Sequence, residues 1–142
     1  MKNRVFIDTN IMLDLLGERH PFYLPAAQLA TLADQKKIEM VVSPLSFANV
    51  NYILSKFETS SAVKEKLRKF KIISKICKID EQILEKGLNS SFKDFEDSLH
   101  YFSALTSGCK LIITRNGKDF KNSLIPVMTA EEFIKSMISQ RL

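Results

Sequence analysis

The feature that most narrows the folds open to this chain is a set of short apolar runs that do not alternate. Val5-Phe6-Ile7, Met40-Val41-Val42 and Leu111-Ile112-Ile113 are apolar at every position, and Pro126-Val127-Met128 is a shorter fourth. A strand with one wet face alternates apolar and polar residues; a strand covered on both faces does not, and this is the condition of a parallel sheet between two helical layers. The segment Ile72–Ile79 tends toward strand and supplies a fifth. The stretches between them carry apolar residues at helical spacing. Ile11 to Leu16 form a first helix, with Thr9 or Asn10 able to cap it, and Pro21–Ala33 a second. Ser43-Pro44 opens a third that reaches about Phe57, with proline near its favoured first position. Thr59 or Ser60 caps a lysine-rich fourth, Asp80 caps a fifth that runs to about Asn89, and Asp94–Ser107 is a sixth. Thr129 with Glu132 three residues on makes a capping box for the last helix. The expectation is an α/β fold, a three-layer α/β/α sandwich on a central, mostly parallel, roughly five-stranded sheet. With 142 residues and 45% hydrophobic content, one domain over 1–142 can hold its own core.

Composition removes several function classes. Cys77 and Cys109 are isolated, and His20 and His100 are the only histidines, so zinc chemistry of the Cys/His type is excluded. Both cysteines read as small buried hydrophobes of a reduced, cytoplasmic protein, and both histidines as surface residues. The N-terminus has too short an apolar run for a signal peptide or a membrane span. The net charge of +5 is unevenly spread. Eight basic residues lie between Lys56 and Lys78, among them Lys64, Arg68 and Lys71, against Glu58 and Glu65; from Asp80 to Asp97 six acids face only Lys86 and Lys93. A basic stretch and a separate acidic one suit a polyanion approaching a cation-binding pocket, although a solvated lysine-rich helix gives the same pattern.

Ligands of such sheets bind beyond the carboxyl ends of the strands, and polar residues follow there: Asp8-Thr9-Asn10, Ser43, and Thr114-Arg115-Asn116. Asp8 can cap the next helix. On the sixth helix Asp94 and Asp97 lie about 60° apart, with Tyr101 between them. Phe95, Leu99 and Phe102 are expected to form the core stripe, leaving Glu96, His100 and Ser103 toward solvent. Asp94 can be the helix cap, but Asp97 lies one turn inside, where Asp is a poor helix former and capping does not explain it. Asn116-Gly117 reads as a turn and Asp119 as a local cap or a third acid. Three aspartates on one sheet edge repel unless a cation holds them. Oxygen ligands without histidine or cysteine select Mg²⁺ or Mn²⁺, which can polarise a phosphodiester and activate water.

Three segments in this order, Phe6-Ile-Asp-Thr-Asn10, Asp94-Phe-Glu-Asp-Ser-Leu99 and Ile113-Thr-Arg-Asn-Gly-Lys-Asp-Phe120, resemble the PIN-domain family of metal-dependent ribonucleases, which includes the VapC-like toxins. The resemblance implies that Asp8, Asp97 and Asp119 hold one or two Mg²⁺ or Mn²⁺ ions, with Asn116 in the last cluster and Asp94 a further candidate. Where the family places a glutamate on the helix after the second strand, this chain has Asn49, a weak ligand without charge; Asn116 likewise stands where an aspartate is common. The implied activity is hydrolysis of RNA phosphodiester bonds as an endoribonuclease. Thr9 and Ser43 would hydrogen-bond around the ligands, and Arg115, Lys64, Arg68 and Lys71 would meet the RNA backbone. The implied partners are a second copy of the chain and a small antitoxin. Apolar residues of the second helix or of Phe47–Phe57 would supply an interface, although Leu24, Tyr52 and Phe57 read rather as core. The Asn49 departure motivates an alternative, a PIN-like RNA- or protein-binding module with weak or lost turnover. Phosphoryl transfer through an aspartate nucleophile is a lesser rival, because its usual second Asp is Asn10 here.

Overall fold

A computed structural model of the chain describes residues 3–140. Five strands, β1 (Asn3–Ile7), β2 (Ile38–Val42), β3 (Lys75–Ile76), β4 (Leu111–Ile113) and β5 (Val127–Met128), pair wholly parallel in the order β3-β2-β1-β4-β5. The helices among the described residues are α1 (Thr9–Leu16), α2 (Tyr23–Asp34), α3 (Pro44–Leu54), α4 (Ser60–Ile72), α5 (Glu81–Leu88), α6 (Phe95–Thr106) and α7 (Ala130–Gln140). A 3₁₀ turn spans Gly117–Phe120. None of the helices is long and apolar enough to cross a membrane.

The apolar runs are buried on both faces because successive side chains of a strand point to opposite sides. Val5, Ile7, Met40, Val42 and Ile113 meet α1, α2, α3, α4 and α7 through Met12, Leu29, Val50, Phe70 and Phe133. Phe6, Val41 and Ile112 point the other way, onto Tyr101 and Ala104 of α6, with Cys77, Cys109 and Phe120. This is the expected three-layer sandwich. Burial pushes the Cys77 thiol up to about 11 and the Cys109 thiol to about 12, so both stay protonated and inert.

Several local expectations are corrected. α4 runs through Ile72, which leaves only Lys75–Ile76 to pair with β2 as a strand. α3 stops at Leu54, and Leu24, Tyr52 and Phe57 are 62%, 68% and 80% exposed rather than core. On α6 the stripe facing the sheet is Asp97, His100, Tyr101 and Ala104, rotated by roughly half a turn from Phe95, Leu99 and Phe102. The reason is that α6 is covered twice. α5 lies against its other side so closely that a Cβ at Gly87 would stand 2.8 Å from Ser98 Oγ and 3.0 Å from Leu99 Cδ2. Leu99 is therefore buried against α5, while Phe95 stays half exposed. Ser103 is fully buried and donates to the Lys78 carbonyl, and His100 is as buried as the sheet itself.

Candidate metal centre

The chain passes from β1 to one side of the sheet and from β4 to the other, so their carboxyl ends diverge into the crevice where open α/β sheets bind ligands. Asp8 is the first residue beyond β1, and its N–H donates to the Ile113 carbonyl of β4. It, and not Thr9 or Asn10, is the N-cap of α1: Thr9 N–H donates to Asp8 Oδ1 at 2.8 Å. Thr114 donates its hydroxyl hydrogen to Asp8 Oδ2 at 2.7 Å, and Asn10 Nδ2 adds a longer contact at 3.4 Å. Asn116 N–H and Asn10 Nδ2 in turn donate to Thr114 Oγ1, which ties the two strand ends together. Burial alone would raise the Asp8 carboxyl, but the His100 imidazole, the Thr114 hydroxyl and the Thr9 N–H outweigh it and hold Asp8 below its ordinary value. Asp8 is therefore ionised across the physiological range.

Asp97 meets Asp8 from α6. Its carboxyl is pushed up to about 7, first by burial and then by Asp8, Asp94 and Asp119. Four aspartates from three separate segments of the chain thus bear on the same site. One ligand atom each from Asp8, Asp97 and His100 lies within 4.8 Å of the others. Two carboxylates, Asp8 held ionised and Asp97 with a raised proton affinity, beside a buried imidazole are a donor set that fits a divalent cation.

The remaining sequence candidates divide. Asp94 caps α6 by accepting from Asp97 N–H at 3.1 Å and lies at the rim. Asp119 and Asn116 are exposed; Asp119 N–H donates to the Asn116 carbonyl, and Asp119 reaches Asp97 through its field rather than by contact. Asn49 on α3 donates its amide to Glu96 of α6. Ser43 is fully buried, with its Oγ accepting from Leu45 N–H as the α3 cap, so it has no surface to offer RNA. The Thr9 hydroxyl is taken by Ser46 Oγ at 2.7 Å. Arg115 is committed elsewhere too. Its guanidinium grips Asp14 through Nε at 2.8 Å and a second nitrogen at 3.1 Å, and it stacks 3.9 Å over Phe22. Lys64, Arg68 and Lys71 are exposed on α4, but Lys66 of the same helix donates to Leu16 O at the far end of α1, about 12 Å along that helix from Asp8.

Residues that sequence reasoning did not assign to the site are Thr114, Glu96 and His100. Thr114 follows β4 and was visible as a polar strand end. His100 was hidden by the misassigned face of α6.

A model of the family described as PIN domain matches residues 4–118. The chain belongs to the PIN-domain family. It is 31% identical over 135 residues to Ribonuclease VapC1 of Aquifex aeolicus (strain VF5), covering 92% of each chain. Among solved structures, a toxin-antitoxin complex from Klebsiella pneumoniae is similar at 25% identity with a TM-score of 0.65, over 89% of this chain and 97% of that one. The VapBC2 structure from Rickettsia felis, bound to a DNA fragment from their promoter, shares the fold at 19% identity and TM-score 0.65, over 88% and 96%. In this chain Asp8 and Asp97 meet beyond the carboxyl ends of β1 and β4, where the strand order switches.

Proposed function

We propose that this PIN-domain chain, as one unit over 1–142, is a cytoplasmic endoribonuclease that depends on Mg²⁺ or Mn²⁺, the toxin of a toxin–antitoxin pair. The observation that carries the reading is the meeting of Asp8 and Asp97, one held ionised and the other pushed up to about 7 by burial and then by its acidic neighbours. The family and the name of the Aquifex relative support it. When bound, the cation supplies a Lewis acid for the phosphodiester and activates water. The chain's own residues set its seat. Thr114, Asn10 and Thr9 N–H fix both oxygens of Asp8. Asp97 projects from the first turn of α6, and Asp119 adds charge from the rim, with Asn116 holding its turn. The exposed lysines of α4, remote from the crevice, would meet RNA flanking the cut rather than the scissile phosphate.

The proposed partners are RNA, an antitoxin that covers the acidic crevice, and a second copy of the chain. Tyr52, Phe57 and Leu24 offer exposed apolar surface for a protein partner. The test is Mn²⁺-dependent cleavage of a structured RNA pool by wild type, Asp8→Asn and Asp97→Asn. Cleavage by wild type and its loss in both variants are expected; equal cleavage by all three would remove the assignment. A second reading, a PIN-like binding module with weak turnover, rests on Asn49, whose amide hydrogen-bonds Glu96 where the family carries a carboxylate. Salt-sensitive RNA binding without cleavage, with no Mn²⁺ binding at millimolar concentration, would favour it.

A further inference from the structure

His100 is the most exceptional polar residue among those described. It is 1% exposed, and neither ring nitrogen has a hydrogen-bond partner. A buried imidazole left unpaired costs free energy, and native structures rarely carry one without a purpose. The ring is held against Phe6 at 5.5 Å between centroids. That contact points Nδ1 to within 3.3 Å of Asp8 Oδ1, off the line of a hydrogen bond, and Nε2 to 3.9 Å from Glu96 Oε1. Two ligands at neighbouring corners of an octahedral ion with bonds of about 2.1 Å stand about 3 Å apart. The Asp8–His100 separation matches that edge, and Asp97 completes a group of three.

The outer nitrogen has its own arrangement. A histidine that binds a metal almost always hands its other N–H to a carboxylate, a backbone carbonyl or water, which fixes the ring and its tautomer. Glu96 stands one helical turn before His100 for that task, and Asn49 donates its amide to the same Glu96 oxygen. A glutamate at position 49 would bring a second negative charge against Glu96. The amide instead steers the Glu96 carboxylate toward the ring.

Resting on the metal-dependent reading above, we infer that His100 Nδ1 joins Asp8 and Asp97 as a ligand of the cation, with Glu96, aimed by Asn49, as the positioning carboxylate behind the ring. The site is then a mixed nitrogen–oxygen site rather than an all-oxygen one. Imidazole nitrogen favours first-row transition ions over Mg²⁺, which holds to oxygen. The ion this chain prefers is accordingly Mn²⁺ or a later divalent ion.

The experiment adds Mn²⁺ alone to the metal-free full chain and reads pulsed electron paramagnetic resonance, with a parallel calorimetric titration of Mn²⁺ and Mg²⁺. The wild-type spectrum is expected to carry a directly bound ¹⁴N coupling that converts to the ¹⁵N pattern when only histidine is ¹⁵N-labelled. This needs no variant to fold. Calorimetry is expected to give Mn²⁺ binding about tenfold or more tighter than Mg²⁺, and His100→Gln to bring the two ions close together. Glu96→Gln is expected to keep the nitrogen coupling and weaken Mn²⁺ about tenfold; unchanged affinity would overturn its positioning role. Bound Mn²⁺ with water-proton couplings but no histidine nitrogen coupling would overturn the inference and leave the nuclease reading standing. Binding of neither ion at millimolar concentration would sink both.

Discussion

Asp97→Asn should stabilise the metal-free protein while abolishing its metal response. Burial first, and then Asp8, Asp94 and Asp119, raise the Asp97 carboxyl from 3.8 to about 7. At 1.36 kcal/mol per pH unit, the full cost of ionising it in the fold would be about 4 kcal/mol. The side chain is only partly buried, and solvent screening reduces this to roughly 1–2 kcal/mol. The sign follows from linkage: a carboxyl with a raised folded value keeps its proton in the fold, so its contribution is intact below about pH 4 and is lost as pH rises through about 7. Asparagine has no proton to lose. In urea titrations with a chelator at pH 8, the variant should exceed wild type by roughly 1–2 kcal/mol, and the difference should fade toward pH 4. Saturating Mn²⁺ should reverse the ranking, because only wild type gains binding free energy. A variant less stable than wild type at pH 8 without metal, or a difference independent of pH, would refute the reasoning.

Other perturbations have simpler signs. Asp14 is 1% exposed and holds both Arg19 and Arg115, so Asp14→Ala should cost roughly 3 kcal/mol in denaturant titrations. Gly87→Ala forces a methyl against Ser98 and Leu99 and should cost about 1–3 kcal/mol by the same assay, loosening α5 from α6. Replacing Lys64, Arg68 and Lys71 by alanine should flatten the dependence of log RNA affinity on log salt by about 2 if all three touch phosphates, and leave it unchanged if α4 is only a solvated face.

The sheet was legible because strands buried on both faces must be apolar throughout, and Val5-Phe6-Ile7 and Leu111-Ile112-Ile113 are. The two central acids were legible for a related reason: Asp8 directly follows such a strand, and Asp97 sits inside a helix where no cap needs it. α6 was read from its largest side chains, and Phe95, Leu99 and Phe102 outweighed the stripe that turns to the sheet. That stripe is partly polar because it borders the crevice, so hydrophobic periodicity misplaced it and took His100 for a surface residue. Position along the chain does not give the partners of Arg115 and Ser43. Each sits at a strand end, yet one is drawn to Asp14 and the other into a helix cap. Those partners are visible only in three dimensions. The distance of α4 from the crevice, and the exposure of Tyr52 and Phe57, likewise depend on how helices pack, which charge and hydropathy patterns do not encode.

The most direct test of the central claim is an anomalous difference map from crystals of the full chain soaked in Mn²⁺. A peak within bonding distance of carboxylate oxygens from both Asp8 and Asp97 is expected. Crystals saturated with Mn²⁺ that show density only elsewhere, or none, would contradict the claim that the fold gathers these aspartates around a shared ion.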